Sequence, residues 1–158
     1  MGELLRPVFC LLVEYNPLVG LDLAETLDAS GCYVAGPFPS GRGASEWLEL
    51  FTPDVAIVDL TLQDGQCHHV ISELQARAIP FVMYSGCPVR DRPSDVPSDV
   101  PWLEKPASTE MIAGILQELL TVAVPDGSRS PARNHRTGCD NPNHEPGAAI
   151  VQEVADEA

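Results

Sequence analysis

Five short apolar runs alternate along the chain with stretches whose apolar residues recur every three or four positions. Val8 to Val13 is the first run, buried in character and β-branched at both ends. Asn16-Pro17 then reads as a helix cap and first helical residue, because Asn accepts a free backbone N–H and Pro lacks the donor that would go unused there. Val19, Leu23 and Leu27, with Leu18, Leu21 and Ala24 beside them, predict one apolar helical face that Gly31 stops. Cys32 to Ala35 predicts a short second strand, and Trp47, Leu48, Leu50 and Phe51 predict a short second helix over Ala44 to Phe51.

The third run, Val55 to Val58, lies between Pro53-Asp54 and Asp59-Leu60. Its length and branching favour a strand covered on both faces. Val70, Ile71 and Leu74 mark a third helix closed before Pro80, and Phe81 to Tyr84 a fourth strand ending at Ser85-Gly86. Trp102-Leu103-Glu104 is the fifth strand, ending at Lys105-Pro106. Ser108 caps a last helix through about Val122, with Ile112, Ile115, Leu116 and Leu119 inward. Strands separated by helices predict an α/β fold with a parallel sheet wound on both faces. Five strands in this order suit the flavodoxin-like arrangement 2-1-3-4-5.

That order sends the carboxyl ends of the strands to one crevice, where open α/β sheets bind ligands. Glu14, Tyr15, Asn16, Asp59, Thr61, Ser85 and Lys105 stand at those ends, a converging set of acids, hydroxyls and one ammonium. Lys105 is the single lysine of the chain.

Composition narrows the partners. A formal charge of −14 over 158 residues opposes a nucleic-acid surface and an anionic membrane surface, both of which need a basic face. Nothing approaches the roughly 18 apolar residues of a membrane span, and no basic region precedes the first apolar run as in a signal peptide. Five scattered cysteines, odd in number and without CxxC spacing, read as reduced thiols of a cytoplasmic protein.

Residues 7–121 resemble the receiver (CheY-like) domain of two-component response regulators. The resemblance rests on Leu11-Leu12-Val13-Glu14-Tyr15-Asn16-Pro17, Pro53-Asp54-Val55-Ala56-Ile57-Val58-Asp59-Leu60, Val82-Met83-Tyr84-Ser85-Gly86 and Leu103-Glu104-Lys105-Pro106, in this order and spacing. Gly36-Pro37 and Ala78-Ile79-Pro80-Phe81-Val82 resemble stand-alone receivers of alphaproteobacteria. The family implies Asp59 as the acceptor of a phosphoryl group from a histidine kinase or phosphotransfer protein. It implies Ser85 as the hydroxyl that binds that group, Lys105 as its ammonium partner and Trp102 as the switch aromatic. For Mg²⁺ it implies Glu14, Asp59 and the carbonyl of Thr61.

Three departures stand out. Tyr15 occupies the position of the second acid, so Mg²⁺ binding should be weak. Pro88, Pro93, Pro97 and Pro101 forbid more than about one helical turn between strands four and five, so the fourth helix is shortened or missing. The loop after Asp59 carries Asp64-Gly65 but lacks the usual proline.

Elsewhere, Cys67-His68-His69 read as a solvated helix start whose side chains diverge. His135, Cys139 and His144 have loose zinc-like spacing with one thiolate. The expected organisation is a domain over residues 1–122 and a disordered or weakly structured acidic tail over 123–158, in which 148–155 could form a helix. The expected function is a single-domain response regulator that acts through protein contacts and is not an enzyme. A phosphorylation-independent pseudo-receiver is the alternative. A flavodoxin-like ligand binder would need a phosphate loop that Glu14-Tyr15-Asn16-Pro17 does not supply. A dehalogenase-like phosphatase would need Asp-x-Asp where Asp59-Leu60-Thr61 stands.

Overall fold

The computed structural model describes residues 7–65 and 67–123. The tail, with its His135, Cys139, His144 cluster and the stretch 148–155, lies outside the described residues. In chain order the elements are β1 (Val8–Val13), α1 (Pro17–Ala29), β2 (Cys32–Phe38), α2 (Gly41–Leu50) and β3 (Val55–Val58). They continue with α3 (Cys67–Ala76), β4 (Phe81–Ser85), a 3-10 turn (Val89–Asp91), β5 (Trp102–Glu104) and α4 (Thr109–Ala123). The five strands form one parallel sheet in the order β2-β1-β3-β4-β5, the expected arrangement.

Period-two alternation along the strands assigns each face its helices. Leu12, Val55, Ile57, Val82 and Tyr84 meet Leu23 and Leu27 of α1 and Ile112 and Leu116 of α4. Leu11, Val13, Ala56, Val58 and Met83 meet Ala44 and Leu48 of α2 and Val70, Ile71 and Leu74 of α3 on the opposite face. The expected stop of a regular helix before the fifth strand holds. Among the described residues, 87–101 contains one 3-10 turn and no α-helix, and Val96 and Val100 fill the core there instead.

Local details correct the sequence reading. Leu18, Leu21 and Leu50 are exposed, so the apolar faces of α1 and α2 are narrower than expected. β2 runs three residues past Ala35, because the chain bulges at Gly36-Pro37 and pairs again at Val13↔Phe38. Gly36 takes φ +111 there, and a Cβ would run into the carbonyl of Leu12. α2 begins at Gly41, three residues early, because Ser40 Oγ accepts from Gly43 N at 3.1 Å and Asp64 holds the first two amides. α1 starts as expected: Asn16 Oδ1 accepts from Leu18 N and Val19 N.

Candidate functional site

The sheet itself brings the site residues together. Glu14 follows β1, Asp59 follows β3, Ser85 ends β4 and Lys105 follows β5. Three main-chain bonds extend the sheet past its formal ends: Glu14 N to Phe38 O at 2.9 Å, Asp59 N to Val13 O at 2.8 Å and Lys105 N to Ser85 O at 2.8 Å. Position is therefore set by backbone pairing rather than by loop packing.

Glu14, Asp59 and Ser85 are the buried polar side chains among the described residues, 2%, 5% and 1% exposed. Lys105 joins the two acids. Its Nζ donates to Glu14 Oε1 at 2.9 Å and to Asp59 Oδ2 at 3.0 Å. It also lies 2.7 Å from Glu14 Oε2, off line, so that contact is an ion pair and Oε2 has no hydrogen-bond donor. The Tyr84 ring lies 5.2 Å from the same ammonium, a cation–π contact. Asn16 N donates to Glu14 Oε1 at 2.9 Å and Thr61 N to Asp59 Oδ1 at 3.1 Å.

Burial has an electrostatic signature. It pushes the Glu14 carboxyl above the usual carboxylate range, and the bonds from Lys105 and Asn16 offset this only in part. Burial pulls Lys105 down, but its hydrogen bonds to Glu14 and Asp59 outweigh that and the net shift is up. Two carboxylates and one ammonium leave the cluster with one net negative charge. Helix packing helps to keep Glu14 dry. Gly20 of α1 lies so close to Pro37 that a Cβ would meet its ring at 2.8 Å, with the Glu14 side chain alongside at 3.5 Å.

The other expected site residues are placed less centrally. Ser85 Oγ accepts from Cys87 N at 3.1 Å. Trp102 stands at the start of the edge strand β5, and its indole N–H donates to Cys87 O at 3.0 Å. Tyr15 is 51% exposed, at the mouth of the site. Cys67-His68-His69 is no metal centre. The Cys67 thiol is buried and pushed up to about 12, by burial first and then by the charges of Asp59 and Asp95, while both histidines are exposed.

Two contributors escaped the sequence reading. Asp64 Oδ1 and Oδ2 accept from Gly41 N and Arg42 N, both at 3.0 Å, which ties the loop after Asp59 to the α2 N-terminus. Its signal was the Asp-Gly pair, read only as a turn. Arg92 lies over the Trp102 ring at 5.2 Å and donates to the carbonyls of Pro97 and Val100. Nothing in the local sequence signals those contacts.

Among the described residues no three of His, Cys, Asp and Glu come together to hold a metal. A magnesium ion would rest on the Glu14 and Asp59 carboxylates and the Thr61 carbonyl. Magnesium is commonly bound through one or two carboxylates with waters completing its shell. The unused, buried Oε2 of Glu14 supplies an oxygen of the right kind. The donor set therefore fits a loosely held ion, and Lys105 already offsets much of the charge that would attract one.

No protein-family model matches the chain. An 82-residue stretch is 32% identical to the transcriptional regulatory protein PdtaR of Mycobacterium tuberculosis, covering 51% of this chain and 40% of that protein. The match thus spans less than half of the curated relative. Among solved structures, the receiver (REC) domain of the PhyR response regulator from Erythrobacter litoralis superposes with TM-score 0.70 at 19% identity, over 78% of this chain and 98% of that one. A response regulator receiver protein from Sinorhizobium medicae gives 0.69 at 24% identity, over 76% and 99%. The receiver domain of the sensor histidine kinase PA1611 from Pseudomonas aeruginosa, solved with magnesium coordinated in its active-site cleft, gives 0.66 at 21% identity, over 73% and 99%. The fold is that of CheY-like receiver domains. Among the described residues no helix is long and apolar enough to cross a membrane.

Proposed function

We propose that this domain is a response-regulator receiver that accepts a phosphoryl group on Asp59 and passes its state on by protein contact. The donor would be a histidine kinase or phosphotransfer protein. The single observation that carries the reading is the buried cluster of Asp59, Glu14 and Lys105 at three adjacent strand ends, with Ser85 on the fourth.

Phosphoryl transfer asks little covalent work of a protein; it asks for position and for charge to be offset. One carboxylate oxygen of Asp59 forms a bond to phosphorus. The phosphorus–nitrogen bond of the donor phosphohistidine breaks, and the imidazole leaves with the electron pair. Lys105, already on Asp59 Oδ2, offsets charge on the new acyl phosphate, and the Ser85 hydroxyl donates to one of its oxygens. Magnesium, held weakly by Glu14, Asp59 and the Thr61 carbonyl, would offset further charge when bound. With Tyr15 in place of a second acid, the domain is expected to need high magnesium concentrations.

One observation favours a second reading, a pseudo-receiver that signals by binding alone. Lys105 satisfies both carboxylates at once, so the cluster is at rest without a phosphoryl group. Intact-mass spectrometry separates the two. After treatment with acetyl phosphate and magnesium, wild type should gain one phosphoryl group and Asp59→Asn none. Equal masses before and after treatment in both proteins would favour the pseudo-receiver.

A further inference from the structure

The segment 87–101, where a helix is missing, is itself an ordered device. Pro93-Ser94-Asp95-Val96 and Pro97-Ser98-Asp99-Val100 repeat one pattern. In each unit the valine N–H bonds back to the proline carbonyl, at 3.1 and 3.2 Å, so each unit is a single tight turn. A period of four places both valines inward, and both are buried in the core beside α3. The serine and aspartate of each unit face solvent.

These turns make little regular secondary structure, so their closure falls to side chains. Arg92 donates one arm of its guanidinium to Pro97 O and the other to Val100 O at 2.8 Å, bracketing the second turn. The same guanidinium lies on the Trp102 ring. Trp102 is pinned in turn by its indole N–H on Cys87 O, and Cys87 N is held by Ser85 Oγ. A continuous path of contacts therefore runs from a buried hydroxyl at the site, through Cys87, Trp102 and Arg92, to the closing turn of the segment.

We propose that residues 87–101 form a strap that Arg92 clasps shut, and that the strap is the output element of the domain. The inference rests on Asp59 being the phosphoacceptor. A phosphoryl group on Asp59 draws the Ser85 hydroxyl away from Cys87. Cys87 and the indole it anchors then shift, and the guanidinium loses the ring that orients it. The strap opens around Val96 and Val100. A ligand shifts such an equilibrium only by the contacts that differ between its two states. Here those contacts are the Ser85–Cys87 bond and the two bonds of the clasp.

Hydrogen exchange of the full chain, read by mass spectrometry on peptides covering 88–101, tests this. Arg92→Ala should speed exchange at the Val96 and Val100 amides about tenfold, as loss of charge-assisted bonds implies, with peptides of β1 and β3 unchanged. Arg92→Lys should fall between. Ser85→Ala should loosen the same peptides without any phosphodonor. Acetyl phosphate with magnesium should loosen them in wild type and not in Asp59→Asn. If Asp59 takes a phosphoryl group while the strap exchanges as before, the strap is not the output and the receiver reading stands. If Asp59 is never labelled, the trigger is absent and both fall. Unchanged exchange in Arg92→Ala and Arg92→Lys would overturn the clasp itself.

Discussion

Glu14 and Asp59 set two carboxylates in a buried crevice with one ammonium between them, and that balance decides how the site responds to substitution and pH. Removing one member of a buried ion cluster leaves the others uncompensated, at a cost of about 3 kcal/mol. Lys105→Met should therefore lower unfolding stability by about that amount at pH 7, read by urea denaturation. The pH dependence has a definite sign. The Glu14 pKa is raised in the fold, so the stability tied to its protonated form is complete below the unfolded carboxylate value near 4.3 and is lost as pH rises through the folded value. The deficit of Lys105→Met should shrink on acidification towards that value. Lys105 is also raised, so in wild type its contribution is complete below the ordinary lysine value near 10.4 and is lost only as pH climbs through the higher folded one. A deficit independent of pH would mean that lost packing, not charge, dominates. Asp59, Ser85 and Lys105 were legible because strand ends in a parallel sheet have one address, and each residue ends an apolar run. The contact of Lys105 with Glu14 was not legible, because it joins residues 91 apart through side-chain reach.

At the scale of elements, the sequence showed every strand and helix and misjudged where several begin. α2 illustrates the reason. Gly41-Arg42-Gly43 has neither apolar periodicity nor helix propensity, so nothing local starts a helix there. Ser40 starts it from within, and Asp64, more than twenty residues away, completes the cap by accepting two of the four free amides. Asp64→Ala should cost about 1–2 kcal/mol in thermal or urea unfolding, and Asp64→Asn less, since one oxygen acceptor survives. Equal stability of all three proteins would show that the α2 N-terminus does not depend on this clamp. The strap shows the converse. Its prolines made the absence of a helix legible, while the valines that fill the gap belong to tertiary packing. Val96→Ala or Val100→Ala removes two buried carbons and should cost about 2 kcal/mol. Backbone NMR shifts should show no helix of two turns within residues 87–101, and such a helix would contradict the strap.

At the scale of the molecule, residues 7–123 supply a five-stranded sheet with both faces covered, and every cluster of buried apolar residues closes within them. A protein ending at Ala123 should keep the thermal midpoint of the full chain, and a drop of several degrees would show that later residues pack on the domain. The central claim concerns the site: a phosphoacceptor one acid short. Its most direct measurement is the rate at which Asp59 is labelled by acetyl phosphate, mapped by peptide mass spectrometry, as magnesium is titrated. Wild type should label slowly and saturate only at high magnesium. Tyr15→Asp, which restores a second carboxylate beside Glu14 and Asp59, should need at least about tenfold less magnesium and label faster. Asp59→Asn should abolish labelling in both backgrounds. Fast labelling of wild type at low magnesium, unchanged by Tyr15→Asp, would contradict the account.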